Sequence, residues 1–377
     1  MEGVLQKFQH LKIQLEEITS ATNNFDDQNR IGVGGFGRVY KGEVSHSVGR
    51  GVVAIKRLDR RLGQGESEFL KEIDTLSRYR HENLISLLGF CYQGGETLLV
   101  YELASHGSLD KHLDSADLTW SQRIKICLGA AKGLCYLHDP RGTHQRLIHC
   151  DVKGGNILLD DQWNAKIADF GFSMMGPANE QQSTVITLAA GTRGYIDPLY
   201  RMTNTLTKES DVYSLGVVLF EVLCGRLCSR LDSNRRDYHI LVPTWIESYK
   251  QKKLNDIIFK NPTVPPLDQF SLKTFSDIAY RCLNESREAR PKMVEVVKQL
   301  QIALESQELH EIQELEHREF KGEWNKRRSY YEKITRSAEP PLNYASEGEL
   351  MKLLCEGVLL NGGKTVINVA QNLLNEQ

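Results

Sequence analysis

The sequence predicts an α+β protein in two unequal parts. One is small and β-rich with a single main helix, the other is larger and mostly helical, and a charged helical extension follows. Three observations carry this. Residues 30–62 are rich in Gly and Val and hold β-type runs at 38–40 and 52–56. From residue 108 onward helical patterns dominate, at 120–137, 210–223 and 270–282. Beyond residue 304 the composition changes again, with Glu dense from 305 to 323 and Lys and Arg dense from 326 to 336.

Taken in order, residues 1–24 read as an amphipathic lead-in that ends at Asn23-Asn24-Phe25. The β-rich part is assigned to 25–101. Within it the period switches at 66–78, where Phe69, Ile73 and Leu76 fall at i, i+4 and i+7 and define a helix face. Further β-prone runs follow at 84–92 and 98–101. The break in composition makes 102–107 a candidate hinge, and the helical part is assigned to 108–304. In the extension, 305–377, acid at the start and base at the end suit a helix dipole. Glu339-Pro340-Pro341 would break that helix. Ser346 and Glu349 form a capping-box pattern for a short helix that Gly357 would close. No internal repeat is visible.

The bulk numbers exclude some functions. A chain of 377 residues can bury a large core. Its 47 basic and 49 acidic residues give a formal charge of -2, which argues against bulk capture of nucleic acid or an anionic membrane. Eight scattered Cys without a CxxC pair or a His-rich spacing read as reduced, mostly buried thiols. The N-terminus is charged throughout and unlike a secretory signal. It lacks the Gly needed for myristoylation. The longest apolar run, 215–220, ends at Glu221 and is too short to span a bilayer. The expectation is a cytoplasmic protein without a membrane span of its own, recruited to the plasma membrane only through a partner. A piece of a longer membrane receptor would read the same way.

Four segments carry chemistry. Gly32-Val33-Gly34-Gly35-Phe36-Gly37-Arg38-Val39 is a GxGxxGxV whose glycines let backbone N–H groups approach phosphate oxygens. A glycine-rich hairpin turn explains it equally well. A dinucleotide fold does not, because a helix should follow and 38–40 continues as strand. Val53-Ala54-Ile55-Lys56 ends an apolar strand in a cation, ordinarily a plain strand-end charge. The helix at 66–78 offers Glu68 and Glu72, and Glu72 lies next to the apolar face. A buried Lys beside a Glu stays charged and can bind phosphate. His149-Cys150-Asp151-Val152-Lys153-Gly154-Gly155-Asn156 is a polar loop between short β-prone runs. Ala168-Asp169-Phe170-Gly171 follows, and Asn156 with Asp169 could share oxygen ligation of magnesium. Alone, an Asp-Phe-Gly would be an ordinary turn.

In this order and spacing the motifs match the protein-kinase signature set. Residues 25–304 resemble a eukaryotic protein kinase, which implies its bilobal fold. Ala21-Thr22-Asn23-Asn24-Phe25, Leu99-Val100-Tyr101-Glu102, Gly191-Thr192-Arg193-Gly194-Tyr195-Ile196-Asp197-Pro198 and Asp211-Val212-Tyr213-Ser214-Leu215-Gly216 resemble plant receptor-like and Pelle-type kinases, and among these the FERONIA-like receptor kinases. The resemblance implies an enzyme that uses ATP with Mg2+ or Mn2+ to phosphorylate Ser and Thr of protein substrates, itself included, in intracellular signalling. It implies that Asp151 receives or orients the hydroxyl proton and that Lys153 steadies the γ-phosphate. Thr192 would bond Asp151, and Lys56, fixed by Glu72, would grip the α- and β-phosphates. Asn156 and Asp169 would hold the metal, and Gly32, Gly34, Gly35 and Gly37 would cover the phosphates. Ile31, Val39, Ala54 and Leu158 would sandwich the adenine, with Tyr101 as gatekeeper and the backbone of Glu102 and Ala104 on its edge. The activation segment would run from Asp169 to about Leu199 and contain Ser173, Ser183, Thr184, Thr187 and Thr192, with phosphorylation expected somewhere within 183–187. A mobile, unmodified loop fits the polar run 176–182 as well.

Two departures matter. Cys150 stands where the family commonly has an Arg that gathers activation-segment phosphate, so reliance on that phosphate should be reduced. Leu199 replaces the Glu that in relatives pairs with the equivalent of Arg290, so another acid, water or a rearrangement is expected there. Gly154 and Gly155 are also freer than the residues often found there. These departures keep a second reading open, a kinase-fold scaffold or binding protein with weak catalysis. His149 reads as a structural anchor, and Cys150 as neither ligand nor nucleophile. Residues 340–364 resemble the start of a phloem-protein-2-like domain. The extension could bind an upstream receptor or signalling partner, or pack as a solvated helix. Leu309, Ile312, Phe320 and Trp324 make no sustained heptad.

Overall fold

The computed structural model describes residues 2–34, 37–59, 65–139, 145–176, 184–232, 237–260 and 267–337. It divides into two units, 1–305 and 306–377. The expectations for Gly35, Ser183, the proline break, the capping box, Gly357 and the phloem-protein-2-like segment lie outside the described residues.

A short helix α1 (Glu2–Leu5) and a 3-10 turn lead to α2 (Leu15–Ala21). The chain then reverses through Asn23, Asn24 and Phe25, all at positive φ. Five antiparallel strands follow, β1 (Arg30–Gly34), β2 (Gly37–His46), β3 (Gly49–Leu58), β4 (Leu87–Gln93) and β5 (Glu96–Glu102), in the order β1-β2-β3-β5-β4. Helix α3 (Gly65–Arg78) interrupts the run and packs Phe69, Ile73 and Leu76 inward, the three positions that its period selects. Phe69 meets Phe90 edge to face. On the other face Ile13 and Ile18 of the lead-in join Val44, Val53, Ile55 and Val100 in a second cluster. The lead-in thus covers one side of the sheet. The run at 84–92 is strand only from Leu87. Before that, Ile85 donates its N–H to Ile167 across the chain, so these residues tie the sheet to the helical part instead.

The helical part is built on α4 (Trp120–His138) and α6 (Lys208–Cys224). Thr119 and Gln122 form a capping box on α4. Helix α6 is buried from Ser210 to Cys224 and ends at Gly225, whose φ of 64° permits the left-handed cap. Helix α8 (Gln269–Cys282) packs on it, Trp245 of α7 (Val242–Lys250) stacks on its Phe220, and the start of α9 (Met293–Ser337) is tied to α8 by Ser271 Oγ donating to Ala303 O. Short strands β6 (Gly107–Ser108), β8 (Ile157–Leu159) and β9 (Ala165–Ile167) form a small sheet. Two further pairs join β7 (Leu147–Ile148) to β10 (Met174–Met175) and β11 (Val185–Ile186) to β12 (Thr205–Leu206). In the second unit, α9 exposes Leu309, Ile312 and Leu315. Among the described residues no helix is long and apolar enough to cross a membrane.

The expected gap at Arg290 is closed by Asp197, at the start of α5 (Pro198–Thr203). Arg290 Nη2 donates to Asp197 Oδ1 at 2.8 Å, with both side chains wholly buried. Its other nitrogens donate to the carbonyls of Asn284 and Glu209. Arg287 adds a second cation on Asp197 Oδ2. Burial pushes the Asp197 carboxyl up, but Arg290 and Arg287 outweigh it and hold it below its ordinary value of 3.8. The pairing is therefore complete above that pH and is lost as acid titrates through the lower folded value. Breaking a buried pair on one side strands the other charge, so Asp197→Ala should cost about 3–5 kcal/mol in urea unfolding. Leu199→Glu should shift stability by less than about 0.5 kcal/mol, because no unpaired Arg awaits it.

Candidate active site

A cleft of about 610 Å3 lies between the five-stranded sheet and the helical part. The polar loop 149–156 forms its floor and spans the gap between β7 and β8. Asp211, at the start of α6, fixes the loop. Its two carboxylate oxygens accept the backbone N–H groups of His149 at 2.8 Å and Cys150 at 2.9 Å. His149 is fully buried, with Nε2 3.1 Å from Ala168 O and its ring against Phe170. These contacts make it an anchor of the loop.

Asp151 follows, buried, at the centre of a closed network. Thr192 Oγ1 donates to Asp151 Oδ1 at 2.7 Å. Lys153 Nζ lies 2.7 Å from both Asp151 Oδ2 and Thr192 Oγ1. Asn156 Nδ2 donates to the carbonyl and to Oδ2 of Asp151, at 2.9 and 3.0 Å. That use of its nitrogen leaves the Asn156 amide oxygen for another partner.

Above the loop, Lys56 Nζ is 2.8 Å from Asp169 Oδ1 and 3.6 Å from Glu72 Oε2. Burial alone would lower the Lys56 pKa, but the two carboxylates outweigh it and raise it above the ordinary Lys value. Burial raises that of Glu72 despite Lys56. Tyr101 Oη lies near the Glu72 carboxylate, yet neither it nor Glu72 Oε1 has a hydrogen bond of good geometry. Helix α3 also carries Glu68, which stands against Gly171 rather than on Lys56.

The cleft wall includes Ile31, Gly32, Gly34, Gly37, Val39, Ala54, Tyr101, Glu102, Ala104 and Leu158. Lys56, Glu72, Asp151, Lys153, Asn156, Asp169 and Thr192 line it too. The structure therefore brings every described residue of the sequence-derived set into one cleft. Ile85, Leu103, Asp110 and Phe172 also line it and were not anticipated. Asp211 was missed as well. The signal available was weak: an Asp in the first turn of an apolar helix is favoured by the helix dipole whether it is buried or solvated.

Cys150 sits at φ 73°, packed with Ile148, Met174, Val185, Ala189, Ile196, Tyr200 and Leu206. Burial pushes its thiol pKa well up, so it stays protonated. Among the described residues no cluster of metal-ligating His, Cys, Asp and Glu side chains is found. The oxygen donors of Asn156 and Asp169, both lining the cleft, nevertheless suit a hard cation that keeps water and phosphate ligands.

A sequence profile described as protein tyrosine and serine/threonine kinase matches residues 25–300. The chain is 44% identical over 301 residues to receptor-like protein kinase ANXUR1 of Arabidopsis thaliana, covering 79% of this chain and 34% of that protein. It is 45% identical over 296 residues to receptor-like protein kinase THESEUS 1 of the same plant, covering 78% and 34%. Against receptor-like protein kinase HERK 1, also of Arabidopsis thaliana, identity is 42% over 300 residues, covering 79% and 35%. The chain thus spans about a third of the length of these relatives.

The unequal distances to Lys56 give a test. Lys56→Met leaves two carboxylates facing each other and should cost about 3 kcal/mol in urea unfolding. Glu72→Gln leaves the closer Asp169 partner in place and should cost about 1 kcal/mol. Equal costs would show that Glu72, not Asp169, holds the lysine.

Proposed function

The chain belongs to the protein tyrosine and serine/threonine kinase family, and from that premise we propose that it phosphorylates Ser and Thr hydroxyls of proteins, including its own. The family brings ATP and a divalent cation with it. The observation that carries the finer reading is the network of Asp151, Lys153 and Thr192, closed by three contacts of 2.7 Å. It holds one carboxylate oriented towards the cleft.

In this reading the substrate hydroxyl attacks the γ-phosphorus of ATP. A bond forms between that oxygen and phosphorus, the bond to the β-phosphate oxygen breaks, and the hydroxyl proton passes to Asp151. Lys153 steadies the γ-phosphate, while Lys56 meets the α- and β-phosphates. Asn156 and Asp169 would hold Mg2+ or Mn2+, which neutralises charge on the phosphate oxygens when bound. Positioning and charge neutralisation supply most of the acceleration in such transfers. The adenine would lie between Ile31, Val39, Ala54 and Leu158, beside the Glu102 to Ala104 backbone.

The apolar surroundings of Cys150 support a kinase whose activation segment is held by packing rather than by phosphate. The whole-protein role is proposed by analogy with the receptor-like relatives: a cytoplasmic signalling unit reached through a receptor or partner at the plasma membrane. The scaffold reading draws only on Cys150 and Leu199, and the second of these is compensated by Asp197.

With Mg2+ and ATP, the purified chain should incorporate phosphate on Ser and Thr, and Asp151→Asn should slow this about 1,000-fold. ATP binding without any transfer by the parent would leave the scaffold reading standing. A second test replaces Ser183, Thr184 and Thr187 by Ala. Ser173 is kept because its buried hydroxyl bonds Phe170 O. Turnover on a peptide should stay within about threefold of the parent, a change near 0.6 kcal/mol. Collapse to background would restore dependence on activation-segment phosphate.

A further inference from the structure

In the second unit, helix α9 presents an apolar row to solvent. Leu309, Ile312 and Leu315 are 57%, 54% and 58% exposed, three large aliphatic side chains within one short stretch. Single exposed apolar residues are ordinary, but a row along one helix face marks a contact surface. At about 3.6 residues per turn, positions 309, 312, 316, 320, 327 and 334 share this face. Phe320 stacks on Trp324 near its middle, with ring centroids 6.3 Å apart. Glu308, Glu319, Lys326 and Lys333 fall along one flank of it.

The charge along the helix is divided. Residues 305–316 hold five Glu and no Lys or Arg, and residues 326–336 hold five Lys and Arg and one Glu. The helix dipole does not account for the acidic block. Its effect is confined to the end turns, and α9 begins at Met293, about three turns before Glu305. A parallel second copy would set Glu308, Glu316 and Glu319 against themselves. Like charges facing each other across a helix pair oppose association.

Antiparallel pairing turns the same division into a match. With a twofold axis passing between positions 321 and 322, position 309 faces 334 of the second copy and position 316 faces 327. That sets Leu against Ile and Glu against Arg. On the flank, Glu319 comes alongside Lys326 and Glu308 alongside Lys333. Positions 320 and 324 lie beside the axis, at the centre of the contact, where aromatic anchors contribute most. Twofold symmetry makes every contact occur twice. We propose that the row from Leu309 to Ile334 is a self-association surface, on which two copies of this chain pair their α9 helices antiparallel. The pairing does not draw on the kinase reading.

The test is sedimentation velocity of the full chain over about 1–100 µM, the range in which a modest contact associates. A dimer is expected. Glu316→Arg and Arg327→Glu each put like charges at two symmetric contacts, and each should weaken the dimer about 30-fold. Mixed together, the two variants should form a heterodimer. The chain carrying both substitutions should regain the parent affinity within about threefold. Ile312→Lys should also weaken the dimer, with helix content by circular dichroism unchanged. A monomer throughout the range, a dimer indifferent to the single swaps, or single swaps that neither mixing nor the double variant rescues overturns the proposal. A monomer that Ile312→Lys destabilises overturns it too, and shows that the chain's own residues cover the row.

Discussion

The site depends first on the Asp211 carboxylate. It is buried, and it is satisfied by two backbone N–H groups and by His138 Nε2 at 2.8 Å. An ionised carboxylate in such a place is tolerable only when its oxygens are fully bonded. The demand works in reverse on the loop, whose backbone must present two successive N–H groups. Cys150 takes up a φ of 73° while doing so. That is a strained conformation for a residue with a side chain, and it persists because the surroundings over-determine it. Asp151 leaves this turn already aimed into the cleft, with Thr192, Lys153 and Asn156 closing around it. Helix α6, buried from Ser210 to Cys224, is the rigid element from which the loop 149–156 is hung.

Much of the fold and site was legible in the sequence, for local reasons. The helix face of Phe69, Ile73 and Leu76 follows from a 3.6-residue period, and the structure buries those three. The motif residues sit at strand ends and loop centres, where side-chain direction follows from short-range backbone geometry. What was not legible is long-range. Asp211 reaches a loop about 60 residues away. Asp110 meets Gly154 and Gly155 across a similar gap. No period or spacing announces such meetings, because closing a loop of that length depends on the whole packing. The strand expected from Leu84 failed for the same reason. Those residues are apolar and β-prone, but their backbone is drawn to Ile167, at the end of β9, and not into the five-stranded sheet.

The two departures from the family pattern have different physical outcomes. Loss of the Glu at Leu199 is a loss of charge, and charge can be replaced wherever another carboxylate reaches the same guanidinium. Asp197 does so from two residues upstream, and Arg287 shares it. The local cost of desolvating two arginines is thereby met by one acid and a set of carbonyl oxygens. The motif is altered, but the tether between the activation segment and the helical part is retained.

Cys150 is a different case, because a thiol cannot stand in for a guanidinium, and the cation at the edge of its cluster, Lys71, sits with Nζ 3.6 Å from Met174 Sδ. Cys150 packs on an apolar cluster of Ile148, Tyr200 and Leu206, against which Met174, Val185, Ala189 and Ile196 also pack. A phosphate driven into the apolar cluster itself would have to be desolvated against side chains that offer it no hydrogen bond. Apolar packing gives the segment a favourable position that does not depend on a covalent mark, and non-directional contacts tolerate small shifts. An ion pair switches when phosphate comes and goes, whereas a packed cluster has no such trigger.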